Sequence, residues 1–159
     1  MVAPSMTMIH LEDMENIALG GAFLGTGGGG DPYIGKLMAR QAIAANGPVK
    51  VIDVETLPDD ALVVPVAMMG APTVMLEKLP QGGEALSALQ SLQNYLGRKA
   101  DAVFCIEAGG LNSTIPIAVA ASASLPIIDG DGMGRAFPEL QMVSMTMHNI
   151  AACPMVMTD

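Results

Sequence analysis

Aromatic and charged residues are scarce in this chain of 159 residues. It has two tyrosines, three phenylalanines and no tryptophan, and only 14% of its residues are charged, against ~25% in ordinary soluble domains. Seven lysines and arginines face 16 acidic residues, which gives a formal net charge of −9. Without a basic cluster or aromatic stacking platforms we expect no nucleic-acid partner. The low charge content predicts that part of the surface is covered, either in a homo-oligomer or by a further domain.

Cysteine and long membrane-like segments are equally scarce. Cys105 and Cys153 stand alone, with no C-x-x-C pair and no metal-ligand spacing, as expected for reduced thiols in a cytoplasmic protein. Residues 1–11 lack the charged and apolar regions of a signal peptide. The longest uncharged stretch, residues 108–128, contains glycines and prolines. We interpret it as loop, helix and strand and expect no membrane association.

Apolar residues make up 51% of the chain and fall into alternating segments. Their spacing predicts helices at residues 10–21, 32–45, 83–96 and 112–122. It predicts strands at residues 49–54, 62–69, 102–106 and 126–128, with 62–69 buried on both faces, and strand-like segments at 143–147 and 150–157. This alternation predicts the α/β class, as a three-layer α/β/α sandwich with a largely parallel sheet.

A glycine run is the most unusual local feature, reading GTGGGGDP at positions 25–32. Asp31 and Pro32 predict the N-cap and first residue of the next helix, whose buried face should carry Ile34, Leu37, Met38, Gln41 and Ala42. The run either binds an anion through its backbone amides or allows two elements to pack closely. It also fits the glycine pattern of a nicotinamide- or flavin-binding module, but that pattern requires a preceding strand, and here a helix is predicted.

A second glycine-rich motif, DGDGMGR at positions 129–135, follows the last predicted strand. Asp129 and Asp131 are candidates for an acid/base pair, or with His148 for ligands of a divalent metal. Arg135 is a candidate for holding a substrate carboxylate. The alternative is a polar turn in which Arg135 pairs with an acid.

The motif EAGG at positions 107–110 follows another predicted strand. Glu107 is a further candidate acid, and Gly109 and Gly110 would line the same edge of the sheet. Asn112 and Ser113 are better explained as caps of the next helix than as catalytic groups.

Two longer motifs, LGTGGGGDPY at positions 24–33 and DGDGMGRAFPE at positions 129–139, together resemble the S-methyl thiohydantoin desulfurase family. The resemblance covers essentially the whole chain, including EAGG. It implies an N-terminal α/β/α sandwich followed by a β-rich second domain. We therefore expect residues 1–159 to be the N-terminal domain of a longer protein.

The resemblance also implies a hydrolase or desulfurase acting on small cyclic amides of the hydantoin or thiohydantoin type. The alternatives are a non-catalytic subunit of a hydantoinase- or oxoprolinase-type enzyme and, less favoured, a dinucleotide-binding module. The candidate catalytic residues are Asp129, Asp131, Glu107 and Arg135. The candidate ligand-binding residues are Gly27, Gly28, Gly29, Gly30, Asp31, Gly109 and Gly110.

Overall fold

One sheet of five strands organises the chain. The computed structural model describes residues 7–71, 73–78 and 80–159. Residues 1–6 belong to the stretch 1–11 in which no signal peptide is expected, and they lie outside the described residues. The strands are β1 (Met8–Ile9), β2 (Val49–Ile52), β3 (Val63–Val66), β4 (Ala102–Cys105) and β5 (Ile127–Asp131). Their order is β1-β2-β5-β4-β3. The last four pair in parallel and β1 pairs antiparallel with β2, which confirms the largely parallel sheet of an α/β domain.

Helices flank this sheet. They are α1 (Met14–Gly25), α2 (Pro32–Asn46), α3 (Val74–Glu77), α4 (Glu84–Leu96) and α5 (Ile115–Ala123). Helix α5 contacts β2, β3, β4 and β5, while α2 packs on α5 and α1 packs on α2. Buried residues cover most of α5, so it is apolar all round rather than amphipathic. None of the described helices combines the length and apolar character that crossing a membrane requires.

The buried face of α2 differs from the prediction. Ile34, Met38 and Ala42 are half-buried as expected, but Gln41 is exposed and Leu37 is 47% exposed. The fully buried residues are Gly35, Ala39 and Ile43. The physical reason is close backbone approach: a Cβ on Gly35 would lie 2.9 Å from the Cα of Leu111, so small residues occupy this contact.

Four strand predictions also need correction. In β3 Pro65 is exposed rather than buried, because β3 is an edge strand, where proline is tolerated. Residues 144–148 form a 3₁₀ helix (Ser144–His148), and residues 150–157 follow an irregular path. Strand β5 extends to Asp131, so Asp129 and Asp131 belong to the strand rather than to the loop after it.

The apolar C-terminal stretch does not find a strand partner. Met147 is 83% exposed, and Ile150 and Met157 are exposed as well. Alternating apolar residues specify a strand only where a neighbouring edge offers hydrogen bonds and a face to cover. Strand β1, by contrast, was not predicted, because its two residues are too few to show an alternating pattern.

Candidate functional site

The three glycine-rich motifs come together at the carboxyl edge of the sheet. EAGG follows β4, DGDGMGR begins within β5, and the run between α1 and α2 lies against Gly109 and Gly110. In open parallel sheets this edge is where ligands bind. The predicted gathering of these motifs is therefore observed in the structure.

The glycine run uses its carbonyl groups to contact the EAGG segment. The carbonyls of Gly28, Gly29 and Gly30 accept hydrogen bonds from the amides of Gly110 (3.0 Å), Asn112 (2.9 Å) and Leu111 (3.3 Å), respectively. Those amides open the 3₁₀ helix Leu111–Ser113 that leads into α5. The run thus satisfies backbone donors that a helix start leaves without partners.

Close approach explains why these positions are glycine. A Cβ on Gly29, where φ is +76°, would lie 2.5 Å from the Cα of Gly109. The same side chain would meet the amide nitrogen of Gly110 at 2.9 Å. Backbone cannot move away as a flexible side chain can, so the close-packing interpretation of the run is confirmed. Anion binding by the run stays a prediction.

The elements around the run match the capping prediction. Asp31 Oδ1 accepts a hydrogen bond from the Tyr33 amide at 2.8 Å, and Pro32 is the first residue of α2. Helix α1, not a strand, precedes the run. The strand–glycine–helix order of a dinucleotide-binding module is therefore absent from this region of the described structure.

The Asp131 side chain ties two of the motifs together. Its Oδ2 atom accepts hydrogen bonds from the amides of Ala108 at 2.8 Å, Gly134 at 2.7 Å and Met133 at 3.3 Å. Asp131 also stands opposite Cys105 in the β4–β5 register. Because three amides donate to this one oxygen, Asp131 is held as a hydrogen-bond acceptor in a fixed turn.

Glu107 is a buried carboxylate that bridges two segments. It is 6% exposed. Its Oε1 accepts a hydrogen bond from the Asn112 side chain at 2.7 Å, and its Oε2 accepts one from the Phe137 amide at 2.8 Å. Burying a carboxylate is costly unless donors satisfy both oxygens, and here both are satisfied.

Asn112 and Ser113 are not helix caps, contrary to the prediction. Thr114 is the N-cap of α5, and Ser113 Oγ accepts a hydrogen bond from the Gly109 amide at 3.1 Å. Asn112 instead joins Glu107 to the backbone of Met68. The sequence did carry a signal for it: an acid after a buried strand needs nearby donors, and Asn112 is the amide side chain five positions later.

The other candidates are exposed. Asp129 is exposed on β5 and accepts no hydrogen bond from the described residues. The Arg135 Nη1 donates to the Ala136 carbonyl at 2.7 Å rather than to an acid, so the expected Arg–acid pair does not form. His148 is exposed at the end of its 3₁₀ helix.

A metal site at Asp129, Asp131 and His148 stays a prediction. In residues 7–71, 73–78 and 80–159, no three His, Cys, Asp or Glu side chains are placed to hold an ion together. No chemical step below depends on a metal.

Cys105 lies half-buried on β4 beside the two aspartates. Burial, and to a smaller extent the negative charges of Asp131 and Asp129, raise the pKa of its thiol to about 12. A thiol is nucleophilic only as the thiolate, so these surroundings support the prediction of an inert side chain.

Two surface grooves lie outside the three glycine-rich motifs. One, of about 590 Å³, is lined by residues from α4 and the end of α5, among them Gln90, Arg98 and Ser122. The other, of about 220 Å³, runs between α2, α4 and α5. Neither groove contains the acids of the candidate site. In the part of the chain that the structure describes, that site is an open surface at the carboxyl edge of the sheet.

Comparison with known proteins places this chain in a larger context. Its fold is similar to that in the crystal structure of a protein from Chromobacterium violaceum, with a TM-score of 0.73 and 30% sequence identity over 91% of this chain. The match covers 40% of the Chromobacterium chain, so this chain spans less than half the length of that relative. No protein of curated function is significantly similar in sequence. Residues 12–159 match the N-terminal domain of the S-Me-THD-like family, and the chain belongs to that family.

Proposed function

We propose that this chain takes part in the hydrolysis of small cyclic amides of the hydantoin or thiohydantoin type, with S-methyl thiohydantoins as the substrate class. The observation that carries the proposal is the gathering of its three glycine-rich motifs, with Asp129 and Asp131, at one sheet edge of an S-Me-THD-like chain. A polar edge with acids and backbone donors suits the binding and hydrolysis of a polar ring.

The reaction is a displacement at the ring carbon that carries sulfur. The oxygen of water forms a bond to that carbon, and the bond from carbon to sulfur breaks. The leaving methanethiolate takes up a proton, so that S-methyl thiohydantoin and water give hydantoin and methanethiol. No oxidant or reductant is needed, and the task of the protein is to remove a proton from water and to stabilise developing negative charge.

Asp129 is the better of the two candidates for the base. It is exposed, whereas one oxygen of Asp131 already accepts three backbone hydrogen bonds. A general base must reach the proton that it removes. In this proposal Asp129 activates water and Asp131 holds the turn that carries Arg135.

Backbone amides of the glycine run supply the stabilising donors in this scheme. The Gly28 amide already donates to the Gly25 carbonyl at 2.8 Å, so the donors proposed are the amides of Gly27, Gly29 and Gly30. Arg135, whose side chain is exposed, would contact an anionic group on the ring. Such fixed donors are effective because they need no reorganisation as charge develops.

The second candidate function, a subunit that contributes surface rather than chemistry, is favoured by the exposed apolar side chains. Phe23 is 80% exposed and Leu19, four residues before it on the same face of α1, is 70% exposed. Exposed apolar patches mark contacts with another chain or domain. Because this chain spans 40% of its Chromobacterium relative, we further propose that a second domain of a longer protein covers part of this surface.

The test is an assay that follows both thiol release and ring products with a panel of S-methyl thiohydantoins, thiohydantoins and hydantoins. It should use this chain and the same chain joined to whatever follows it in its gene. Asp129→Asn is expected to lower kcat by about 10²- to 10⁴-fold, the usual contribution of a general base. Cys105→Ala serves as the control and should leave turnover unchanged.

Three outcomes separate the candidate functions. Turnover that survives Asp129→Asn but disappears with Cys105→Ala in a folded protein would replace the water mechanism by a thiol nucleophile. Turnover that is insensitive to both variants would contradict the proposed site. No turnover of any ring, with stable co-purification of a hydantoinase-type enzyme, would favour the subunit function.

A further inference from the structure

A chain of hydrogen bonds, fully buried at its centre and part-buried at its two ends, crosses the carboxyl edge of the sheet. The Met68 amide donates to Asn112 Oδ1 at 2.7 Å, and Asn112 Nδ2 donates to the Met68 carbonyl at 3.1 Å. The same Nδ2 donates to Glu107 Oε1 at 2.7 Å, and the Phe137 amide donates to Glu107 Oε2 at 2.8 Å. This relay joins the segment after β3 to the segments after β4 and β5.

The direction of every bond in the relay is fixed by backbone groups at its two ends. The Met68 amide can only donate, so the Asn112 atom that faces it must be the oxygen. The Asn112 amino group must then face Glu107. The Phe137 amide also can only donate, so both oxygens of Glu107 must accept. A protonated Glu107 would carry a hydrogen with no acceptor among these partners.

Burial makes the relay hard to replace by water. Glu107 is 6% exposed and Asn112 is 5% exposed. A buried polar group that loses its partner keeps the full cost of its desolvation. Among the described residues, the other hydrogen bonds between this segment and residues 106–108 lie near its start: the Ala108 amide donates to Asp131 Oδ2 at 2.8 Å, and the Gly132 amide donates to the Ile106 carbonyl at 3.0 Å.

We propose that Asn112 is a positioning residue that acts through Glu107 to fix the far end of the segment 131–137, and that Glu107 works as a hydrogen-bond acceptor through both of its oxygens rather than as an acid or base. The inference reassigns one candidate catalytic residue and gives Asn112 a role other than the helix cap that was predicted for it. Its consequence for activity rests on the proposed function, because the segment carries Arg135. The hydrogen-bond arrangement itself does not depend on the proposed function.

The test reverses the polarity of the relay. In Glu107→Gln alone, the new side-chain amino group must face a donor, either the Asn112 amino group or the Phe137 amide. In Asn112→Asp alone, a carboxylate at position 112 faces the carboxylate of Glu107. In the double variant the new side-chain amide at position 107 donates to the new carboxylate at position 112, and its oxygen accepts from the Phe137 amide. The bond to the Met68 carbonyl is lost, and a carboxylate oxygen faces that carbonyl instead, at the end of the relay away from Phe137.

Hydrogen exchange at the Phe137 amide gives a readout that does not require activity. Each single variant should lower its protection by about 10-fold or more, the loss expected for a hydrogen bond to a charged group. The double variant should return to within about threefold of the natural protein. Gln93→Ala is the matched control, since Gln93 accepts a bond from the Ala100 amide at the opposite edge. It should leave Phe137 unchanged.

Activity then separates positioning from catalysis. If thiol release is found, the double variant should recover most of the kcat/KM that Glu107→Gln loses. A loss that persists in the double variant while Phe137 protection recovers would make Glu107 an acid or base and overturn the proposal. If no turnover is found in the natural protein, recovery of Phe137 protection still supports the relay and unchanged protection in both single variants still contradicts it.

A milder variant covers the case in which the single variants do not fold. Asn112→Ser keeps an oxygen near the Met68 amide and removes the donor to Glu107. Phe137 protection should fall by about 10-fold. Unchanged protection in a folded Asn112→Ser protein would contradict a role of Asn112 through Glu107.

Discussion

At the scale of single residues, the thiol of Cys105 shows how the sheet edge controls chemistry. Burial first, and then the charges of Asp131 and Asp129, raise the pKa of Cys105 to about 12. Cys153 is exposed. The two cysteines therefore provide an internal comparison of the local environment.

We predict that iodoacetamide at pH 8 alkylates Cys153 in the folded protein and leaves Cys105 unmodified. The reason is that a thiol of such a high pKa forms almost no thiolate at this pH. The variants Cys105→Ala and Cys153→Ala report on each site separately, with mass spectrometry as the measurement. Alkylation of Cys105 at the rate of Cys153 in folded protein would contradict the prediction.

The same pKa predicts the direction of a pH effect on stability. The folded-state pKa lies above the ordinary thiol pKa of 9.0, so the unfolded chain releases this proton first as pH rises. The contribution of Cys105 is therefore complete below pH 9 and is lost between pH 9 and about 12. Urea unfolding of the Cys105→Ala variant should show a weaker decline above pH 9.

Single residues were predictable where the relevant partner is close in sequence. Asp31 and Pro32 indicated the start of α2, since a cap bonds to an amide two positions on. The contacts of Glu107 were not predictable, because the Phe137 amide is thirty residues away. Only the folded sheet edge brings these groups together.

At the scale of elements, the contact between the glycine run and EAGG holds α1, α2 and the start of α5 together. The run offers a matched pair for testing it. Gly27 has φ of +96° and a Cβ there would meet nothing within 4 Å, whereas at Gly29, with φ of +76°, it would lie 2.5 Å from the Cα of Gly109.

We predict that Gly29→Ala destabilises the protein more than Gly27→Ala. Both variants incur about 1–2 kcal/mol for a side chain at positive φ. Gly29→Ala adds about 1–3 kcal/mol for overpacking against backbone. Urea unfolding measures the difference. Equal free energies of unfolding for the two variants would mean that the run does not pack as tightly as described.

Elements were predictable where local signals agree. Helices α2 and α4 end at Gly47 and Gly97, which match the expected stop signals. Residues 150–157 share the composition of a strand but follow an irregular path. Whether an apolar segment becomes a strand depends on a free sheet edge, and that is a property of the whole fold.

At the scale of the whole molecule, the exposed apolar groups and the length of the Chromobacterium relative both support the proposal that a second domain covers part of this surface. Phe23 on α1 and Met147 near the C-terminal end are each at least 80% exposed, and the match covers 40% of that relative. The α/β class was predictable from the alternation of helical and strand segments along the sequence. The proposed covering surface was not predictable in detail, because it would involve atoms outside this chain.

The central claim is that a small cyclic amide binds at the carboxyl edge of the sheet, between the glycine run and the segment 129–135. The sharpest comparison within the chain is the groove of about 590 Å³ lined by Gln90, Arg98 and Ser122. That groove involves none of the three motifs, so binding there would have a different physical basis.

The most direct measurement is a titration of the ¹⁵N-labelled protein with hydantoin and with an S-methyl thiohydantoin, following each amide signal by NMR. The account predicts that shifts cluster at residues 27–30, 108–110 and 130–135, and that amides around Gln90 and Arg98 stay unchanged. Shifts confined to the groove around Gln90 and Arg98, or no shifts at millimolar ligand, would contradict it.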